Sequence, residues 1–212
     1  MSLSGVYAIT DTTRHQGQQL IKAVAAAIAG GVRIVQYRDK TTDSARRLQE
    51  AHALAQLCAE HGVLLIINDD PELALNAHAG GVHLGGTDAA ISEARALFDR
   101  ADRTDMIIGA SCYDQRERAE QASAAGADYL AFGAMFPSPT KPHAPSASPE
   151  LLHWARQNLS LPVCAIGGIT EDNLGQLKPA RPDMVAVVSG LFHHTDIQSQ
   201  AACLNRLWQQ TQ

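Results

Sequence analysis

The chain has 212 residues, enough for one domain with a sizeable core. Apolar residues make up 45% and charged residues 18%, an ordinary balance for a soluble globular protein. The formal net charge of -5 argues against a general nucleic-acid surface, and no apolar run approaches the ~18 residues of a membrane span.

Short apolar runs alternate with Ala-rich amphipathic ones. In chain order the strand candidates are Val6–Thr10, Val32–Tyr37, Val63–Ile67, Gly81–Leu84, Met106–Ala110, Tyr129–Gly133, Pro162–Ile166 and Met184–Val188. Their nearly continuous apolar character suits parallel strands covered on both faces. Helix candidates lie between them, such as Gln18–Ala29, Asp43–His61, Ala89–Arg100 and Asp114–Ala125, rich in good helix formers. Asp43 and Asp114 are candidate N-caps. Gly30, Gly31, Gly62, Gly80, Gly81 and Gly126 fall where helices should end.

Eight strands with about eight helices match an α/β fold of the (β/α)8 TIM-barrel type, with residues 1–212 as a single domain. The runner-up is an open doubly wound sheet. No G-x-G-x-x-G follows the first strand, which counts against its dinucleotide-binding version. The four cysteines form no C-x-x-C pair and no zinc-like spacing with histidine, so reduced, mostly buried thiols are expected. Met1–Gly5 lacks the pattern of a secretory leader, which points to a cytoplasmic setting.

A barrel of this kind builds its active site from the loops after the strands. Polar residues gather there, whereas the helix-to-strand turns carry mainly Gly, Ala and His. Strand one runs into Thr10 and Asp11, and strand two into Gln36, Tyr37, Arg38, Asp39 and Lys40. Strand three ends in Asn68, Asp69 and Asp70, and strand four gives His83 and Asp88. Ser111 follows strand five. Strand six leads into Phe136-Pro137-Ser138-Pro139-Thr140-Lys141, a loop that can offer hydroxyls, backbone N–H groups and an ammonium to an anion. Gly167-Gly168 and Ser189-Gly190 end strands seven and eight, the frequent phosphate site of this fold.

Arg38, Lys40 and Lys141 with the carboxylates of Asp69 and Asp88 suit a magnesium pyrophosphate. Two anion sites on one cavity suggest two phosphorylated small-molecule substrates. Duller roles stand beside these. Asp70, ahead of Pro71, suits a helix cap, which leaves Asp69 for metal. Asp88 serves equally as a cap or a ligand. Arg38-Asp39-Lys40 is also the pattern of a solvated charge cluster. His83 is read as packing or supporting, His193 and His194 as surface residues, and Trp154 and Trp208 as helix faces on the barrel. The stretch from Pro137 to Ser148 is read as a lid that closes over ligand.

The chain resembles the thiamine phosphate synthase family along nearly its whole length. The motifs that carry the resemblance are Tyr7-Ala8-Ile9-Thr10-Asp11, Gln36-Tyr37-Arg38-Asp39-Lys40, Ile67-Asn68-Asp69, and Gly81-Val82-His83-Leu84-Gly85 with Asp88. They continue with Gly109-Ala110-Ser111, Gly126-Ala127-Asp128-Tyr129, Phe136–Lys141, Ala165-Ile166-Gly167-Gly168-Ile169 and Val187-Val188-Ser189. The resemblance implies a (β/α)8 fold and a transferase. Such an enzyme joins 4-amino-2-methyl-5-hydroxymethylpyrimidine diphosphate to 4-methyl-5-(2-phosphoethyl)thiazole, giving thiamine phosphate and pyrophosphate.

It also implies that Gln36, Arg38, Lys40, Asn68, Ser111 and Lys141 hold the pyrimidine diphosphate and that Asp69 and Asp88 bind Mg2+. Ser138, Thr140, Gly168, Val188 and Ser189 would hold the thiazole phosphate. Tyr37, Asp39 and Pro139 join the substrate-binding set. Arg38, Lys40, Ser111 and Lys141 are the catalytic candidates. Cys112-Tyr113 and Gly190-Leu191 depart from the usual pattern. A thiazole tautomerase of the same fold and a non-catalytic phosphate-ligand binding protein are the alternatives. The diphosphate cradle and metal carboxylates argue against both. The oligomeric state is open.

Overall fold

All eight apolar runs form strands: β1 (Gly5–Ile9), β2 (Ile34–Tyr37), β3 (Leu64–Asn68), β4 (Gly81–Leu84), β5 (Ile107–Tyr113), β6 (Tyr129–Phe132), β7 (Val163–Ile166) and β8 (Met184–Val187). Neighbours pair in parallel and β8 returns to β1, so the sheet closes into a barrel in chain order. The structure, a computed structural model, describes residues 3–85, 90–137 and 146–210. None of its helices is long and apolar enough to cross a membrane, among the described residues.

The helices are α1 (Gly17–Ala29), α2 (Ser44–Glu60), α3 (Pro71–Asn76), α4 (Ile91–Arg100), α5 (Arg116–Ala124), α6 (Pro149–Asn158), α7 (Ser189–Phe192) and α8 (Ile197–Gln209). Behind β7 the connection holds only a 3-10 turn, Leu174–Leu177. Gly175, Pro179 and Pro182 in that stretch oppose a longer helix. Asp43 caps α2 through the Arg46 N–H, and Asp70 caps α3 through the Leu73 N–H with Pro71 in the first turn. Asp114 does not cap α5. That helix starts at Arg116 and its cap position, Gln115, makes no side-chain bond. The strand before it runs three residues further than expected, to Tyr113, and this displaces the helix start.

Side chains alternate across the sheet as a two-residue period demands. Val6, Ala8, Val35 and Tyr37 face the helix layer, whereas Tyr7, Ile9, Ile34, Ile66 and Tyr129 fill the barrel. The same period puts Gln36, Asn68, His83 and Ser111 on the inner face, near the strands' C-terminal ends. Gly109 makes room for the inner Tyr129 ring: a Cβ there would come within 2.0 Å of it. Ser111 pairs with Ala131 and Tyr113 with Phe132, so Cys112 is the extra residue of a bulge. It turns into the helix-facing core and is fully buried, and burial pushes its thiol up to about 12.

The opposite end of the barrel adds to one expectation. Besides the Gly, Ala and His of its turns, two of the turns carry an aspartate paired with an arginine on a helix. Asp128 accepts the Ile108 N–H at 2.7 Å and an Arg95 N–H at 2.6 Å. Asp183 accepts the Val163 N–H and an Arg156 N–H, both at 2.8 Å. Each carboxylate ties the edge of the neighbouring strand to a helix.

Candidate active site

The loop after β2 carries Arg38, Asp39 and Lys40, and two neighbours hold its backbone. The Thr10 hydroxyl accepts the Arg38 N–H at 2.9 Å. Asp39 is buried and takes the Thr41 N–H at 2.8 Å and Arg46 Nη2 at 2.7 Å. Arg46 also meets Glu50, whose carboxylate accepts the Tyr37 hydroxyl at 2.7 Å and the Gly17 N–H at 2.6 Å. Burial opposes ionisation of Asp39. The Thr41 hydrogen bonds and the Arg46 charge outweigh it and hold the carboxyl below its ordinary range. Burial, and then Glu50, push the Tyr37 hydroxyl far up. Tyr37 and Asp39 therefore turn toward α2 and brace the loop from behind. Arg38 and Lys40 stand at its front, and among the described residues the Arg38 guanidinium makes no ion pair.

The end of β3 meets this loop. The Lys40 ammonium pairs with the Asp69 carboxylate, and the Asn68 amide donates to the same carboxylate oxygen at 2.5 Å. Asp69 has a φ of 62°, the left-handed region that Asp and Asn tolerate best, and its N–H donates to the His83 carbonyl. That turn aims the carboxylate toward Lys40 instead of along the strand. Among the described residues both contacts fall on Oδ2 of Asp69. A carboxylate at the mouth with substrate oxygens and waters as further ligands fits the coordination Mg2+ favours. Among the described residues no group of three or more His, Cys, Asp or Glu side chains is placed to hold a metal by itself. Asp88 lies outside the described residues, as do Ser138, Pro139, Thr140, Lys141 and most of the lid segment. At that segment's far end Ala147 is buried and its N–H donates to the Ala134 carbonyl, so the chain returns to the end of β6.

Inside the barrel a line of hydrogen bonds crosses from β2 to β5, which the strand-by-strand reading did not anticipate. The Gln36 amide donates to the Tyr7 hydroxyl at 2.8 Å, and the Tyr7 and Tyr129 hydroxyls meet at 2.9 Å. Tyr129 meets His83 Nδ1 at 2.9 Å, and His83 Nε2 meets Ser111 Oγ at 2.9 Å. Burial pushes both tyrosine hydroxyls up, so they stay protonated. His83 thus packs inside the barrel with both ring nitrogens in hydrogen bonds. The signal available in the sequence was the two-residue period, which puts Tyr7, Gln36, His83 and Tyr129 on one face.

The ends of β7 and β8 offer backbone instead of charge. Gly168 has a φ of 64°, and a Cβ on it would lie 2.5 Å from the Phe136 carbonyl oxygen and 2.6 Å from that of Pro137. Glycine there lets the β7 loop lie under the start of the β6 loop. Asn173 fixes this turn by donating to the Gly168 carbonyl at 2.7 Å. Val188 leads into α7, where Ser189 and Gly190 supply first-turn N–H groups that point out of the helix. The departure at Gly190 has a cause, since a Cβ would approach the Ile169 carbonyl oxygen to 2.4 Å. His193 and His194 are exposed, and His193 Nε2 reaches Asp11 at 2.8 Å.

Comparison with known proteins gives the family. Residues 6–191 match the family model for thiamine monophosphate synthase. The chain belongs to the thiamine monophosphate synthase family. A thiamine-phosphate synthase of Thioalkalivibrio sulfidiphilus is 47% identical over 207 residues, covering 98% of this chain and 96% of the relative. One of Thiobacillus denitrificans is 50% identical over 204 residues, covering 96% and 94%. Among solved structures, thiamine phosphate pyrophosphorylase from Pyrococcus furiosus superposes with a TM-score of 0.88 at 30% identity, covering 99% of this chain and 97% of that one. Members of the thiamine monophosphate synthase family are transferases.

Proposed function

We propose that the chain, acting as one catalytic domain over residues 1–212, joins 4-amino-2-methyl-5-hydroxymethylpyrimidine diphosphate to 4-methyl-5-(2-phosphoethyl)thiazole. The products are thiamine phosphate and pyrophosphate. The observation that carries the reading is the division of the mouth. Ionised side chains gather at the ends of β2 and β3, while the glycine turn at Gly167-Gly168 and the first turn of α7 stand at the ends of β7 and β8. The first set suits a diphosphate with its metal, the second a phosphate monoester.

In the reaction the carbon–oxygen bond to the diphosphate breaks and its electron pair leaves with pyrophosphate. The positive charge on the exocyclic carbon spreads into the aminopyrimidine ring. The thiazole nitrogen lone pair then forms the new carbon–nitrogen bond. Arg38 and Lys40, with Lys141, stabilise the charge growing on the leaving group. Asn68, Gln36 and Ser111 orient the pyrimidine diphosphate, and Tyr37 and Asp39 keep the cationic loop in place. Gly168, Val188 and Ser189, with Ser138, Pro139 and Thr140, hold the thiazole phosphate beside the reacting carbon. Asp69, with Asp88, would hold Mg2+, which supplies electrostatic stabilisation of the departing pyrophosphate when bound. Water must be kept out, because it would capture the cation. Four free thiols support a cytoplasmic setting.

The test is to supply both substrates, with and without Mg2+, and to follow thiamine phosphate and pyrophosphate. Stoichiometric formation of both, lost in chelator, is the expected result. Isomerisation of a thiazole phosphate carboxylate with no coupling would sink the proposal.

A further inference from the structure

We propose that His83, Tyr129 and Tyr7 are positioning residues that hold Ser111 as a hydrogen-bond donor toward the diphosphate-bearing substrate. The inference rests on the reading of Ser111 as a site residue and adds the direction in which its proton points. The hydrogen-bonded line from Gln36 to Ser111 has one consistent sense. The Gln36 amide nitrogen can only donate, so Tyr7 Oη is an acceptor there. The other hydroxyl that Tyr7 meets is Tyr129, and Tyr7 is wholly buried within the barrel. The Tyr7 proton therefore goes to Tyr129 Oη. The Tyr129 proton goes in turn to His83 Nδ1. His83 is then the neutral tautomer with its proton on Nε2, and it donates to Ser111 Oγ.

Ser111 Oγ is thus an acceptor toward His83, and its own proton is turned away from the imidazole to the half-buried side, at the barrel mouth. A substrate oxygen is what such a hydroxyl recognises. The opposite sense fails at Tyr7. If Ser111 donated to Nε2, Nδ1 would donate to Tyr129 and Tyr129 to Tyr7. Tyr7 would then accept twice and leave its proton without an acceptor inside the barrel, the costlier state. A doubly protonated imidazole produces the same conflict. Gly109 belongs to this device because its missing side chain is what admits the Tyr129 ring. Successive bonds of one sense also polarise one another and sharpen the donor at the end.

Two measurements test this. Nitrogen-15 labelling of the histidines in the intact protein, with His83 identified by the signal lost in His83→Gln, reads the tautomer directly. The expected form carries its proton on Nε2. Protonation on Nδ1, or on both nitrogens, would overturn the proposal. The second measurement is steady-state kinetics of Tyr129→Phe, which keeps the ring and removes the hydroxyl. The expected result is a loss of Nε2–H preference at His83. With it kcat/KM for the pyrimidine diphosphate falls about tenfold, the worth of one neutral hydrogen bond, while KM for the thiazole phosphate is unchanged. His83→Gln, which can still offer an amide N–H to Ser111, should retain more activity than His83→Leu. Ser111→Ala separates the two readings. If it is impaired while Tyr129→Phe has unaltered kinetics, the relay is overturned and Ser111 keeps its site role. If Ser111→Ala itself has unaltered kinetics, Ser111 is not a site residue and the proposal falls with that reading.

Discussion

The two ends of the barrel use the same residue types for different purposes. At the far end Asp128 and Asp183 each accept a strand N–H and an arginine N–H, and so tie a strand to a helix. At the open end Asp69 is turned by a left-handed backbone toward Lys40 and Asn68, at a strand end where the ladder has finished. A carboxylate that completes the sheet is structural. One that faces outward beyond the sheet is the kind we propose as a ligand. Charge in a strand-end turn is therefore no guide to function until its partners are known.

The largest effect should come from Asp69→Asn, which keeps the shape and tolerates the positive φ but removes the charge. Turnover should fall on the order of 10²–10³-fold, with the melting temperature nearly unchanged. A large loss of stability with turnover intact would put Asp69 in the same class as Asp128 and erase the contrast. Gly168→Ala should come next. It forces a Cβ against two carbonyl oxygens at a positive φ, a strain of about 1–3 kcal/mol. Calorimetry should show weakened thiazole phosphate binding and unchanged binding of the pyrimidine diphosphate. Equal losses for both ligands would mean that the mouth is not divided.

At the far end Asp128→Ala strands the Ile108 N–H and should cost about 1–2 kcal/mol in denaturant unfolding. The kcat of the folded fraction should not move, and a fall in kcat would show that the two ends are coupled. The smallest effect concerns acid. The Asp39 carboxyl is lowered in the folded protein, so its stabilising contribution is present above its unfolded value near pH ~4 and is lost as pH falls through the folded one. Asp39→Asn should remove that part of the acid sensitivity while lowering stability at neutral pH. An unaltered acid titration would show that the ionic bracing behind the β2 loop contributes nothing.

Much of the molecule was legible in the chain. All eight strands, four helices within about two residues at each end, and the caps at Asp43 and Asp70 follow from local preferences: apolar runs, helix formers, and short side chains that accept a backbone N–H. These act over one or two turns of chain, so neighbouring residues suffice to read them. The cationic loop and the glycine turns were legible for the same reason. A charge or a missing Cβ is a property of one residue. The length of β5 was not, because Tyr113 continues the strand only by pairing with Phe132 of β6 across the bulge at Cys112.

What the sequence determined by itself is the order of strands and helices, the closed parallel barrel they form, and the set of polar groups at strand ends. The tertiary structure alone decided how those groups divide. Tyr37 and Asp39 turn back to Glu50 and Arg46, Asp128 and Asp183 lock the far end, and Gln36, Tyr7, Tyr129, His83 and Ser111 join into one line. The physical reason is distance along the chain. Tyr7 and Tyr129 are 122 residues apart, and a hydrogen bond between them exists only because closure of the barrel brings β1 and β6 to opposite sides of one interior.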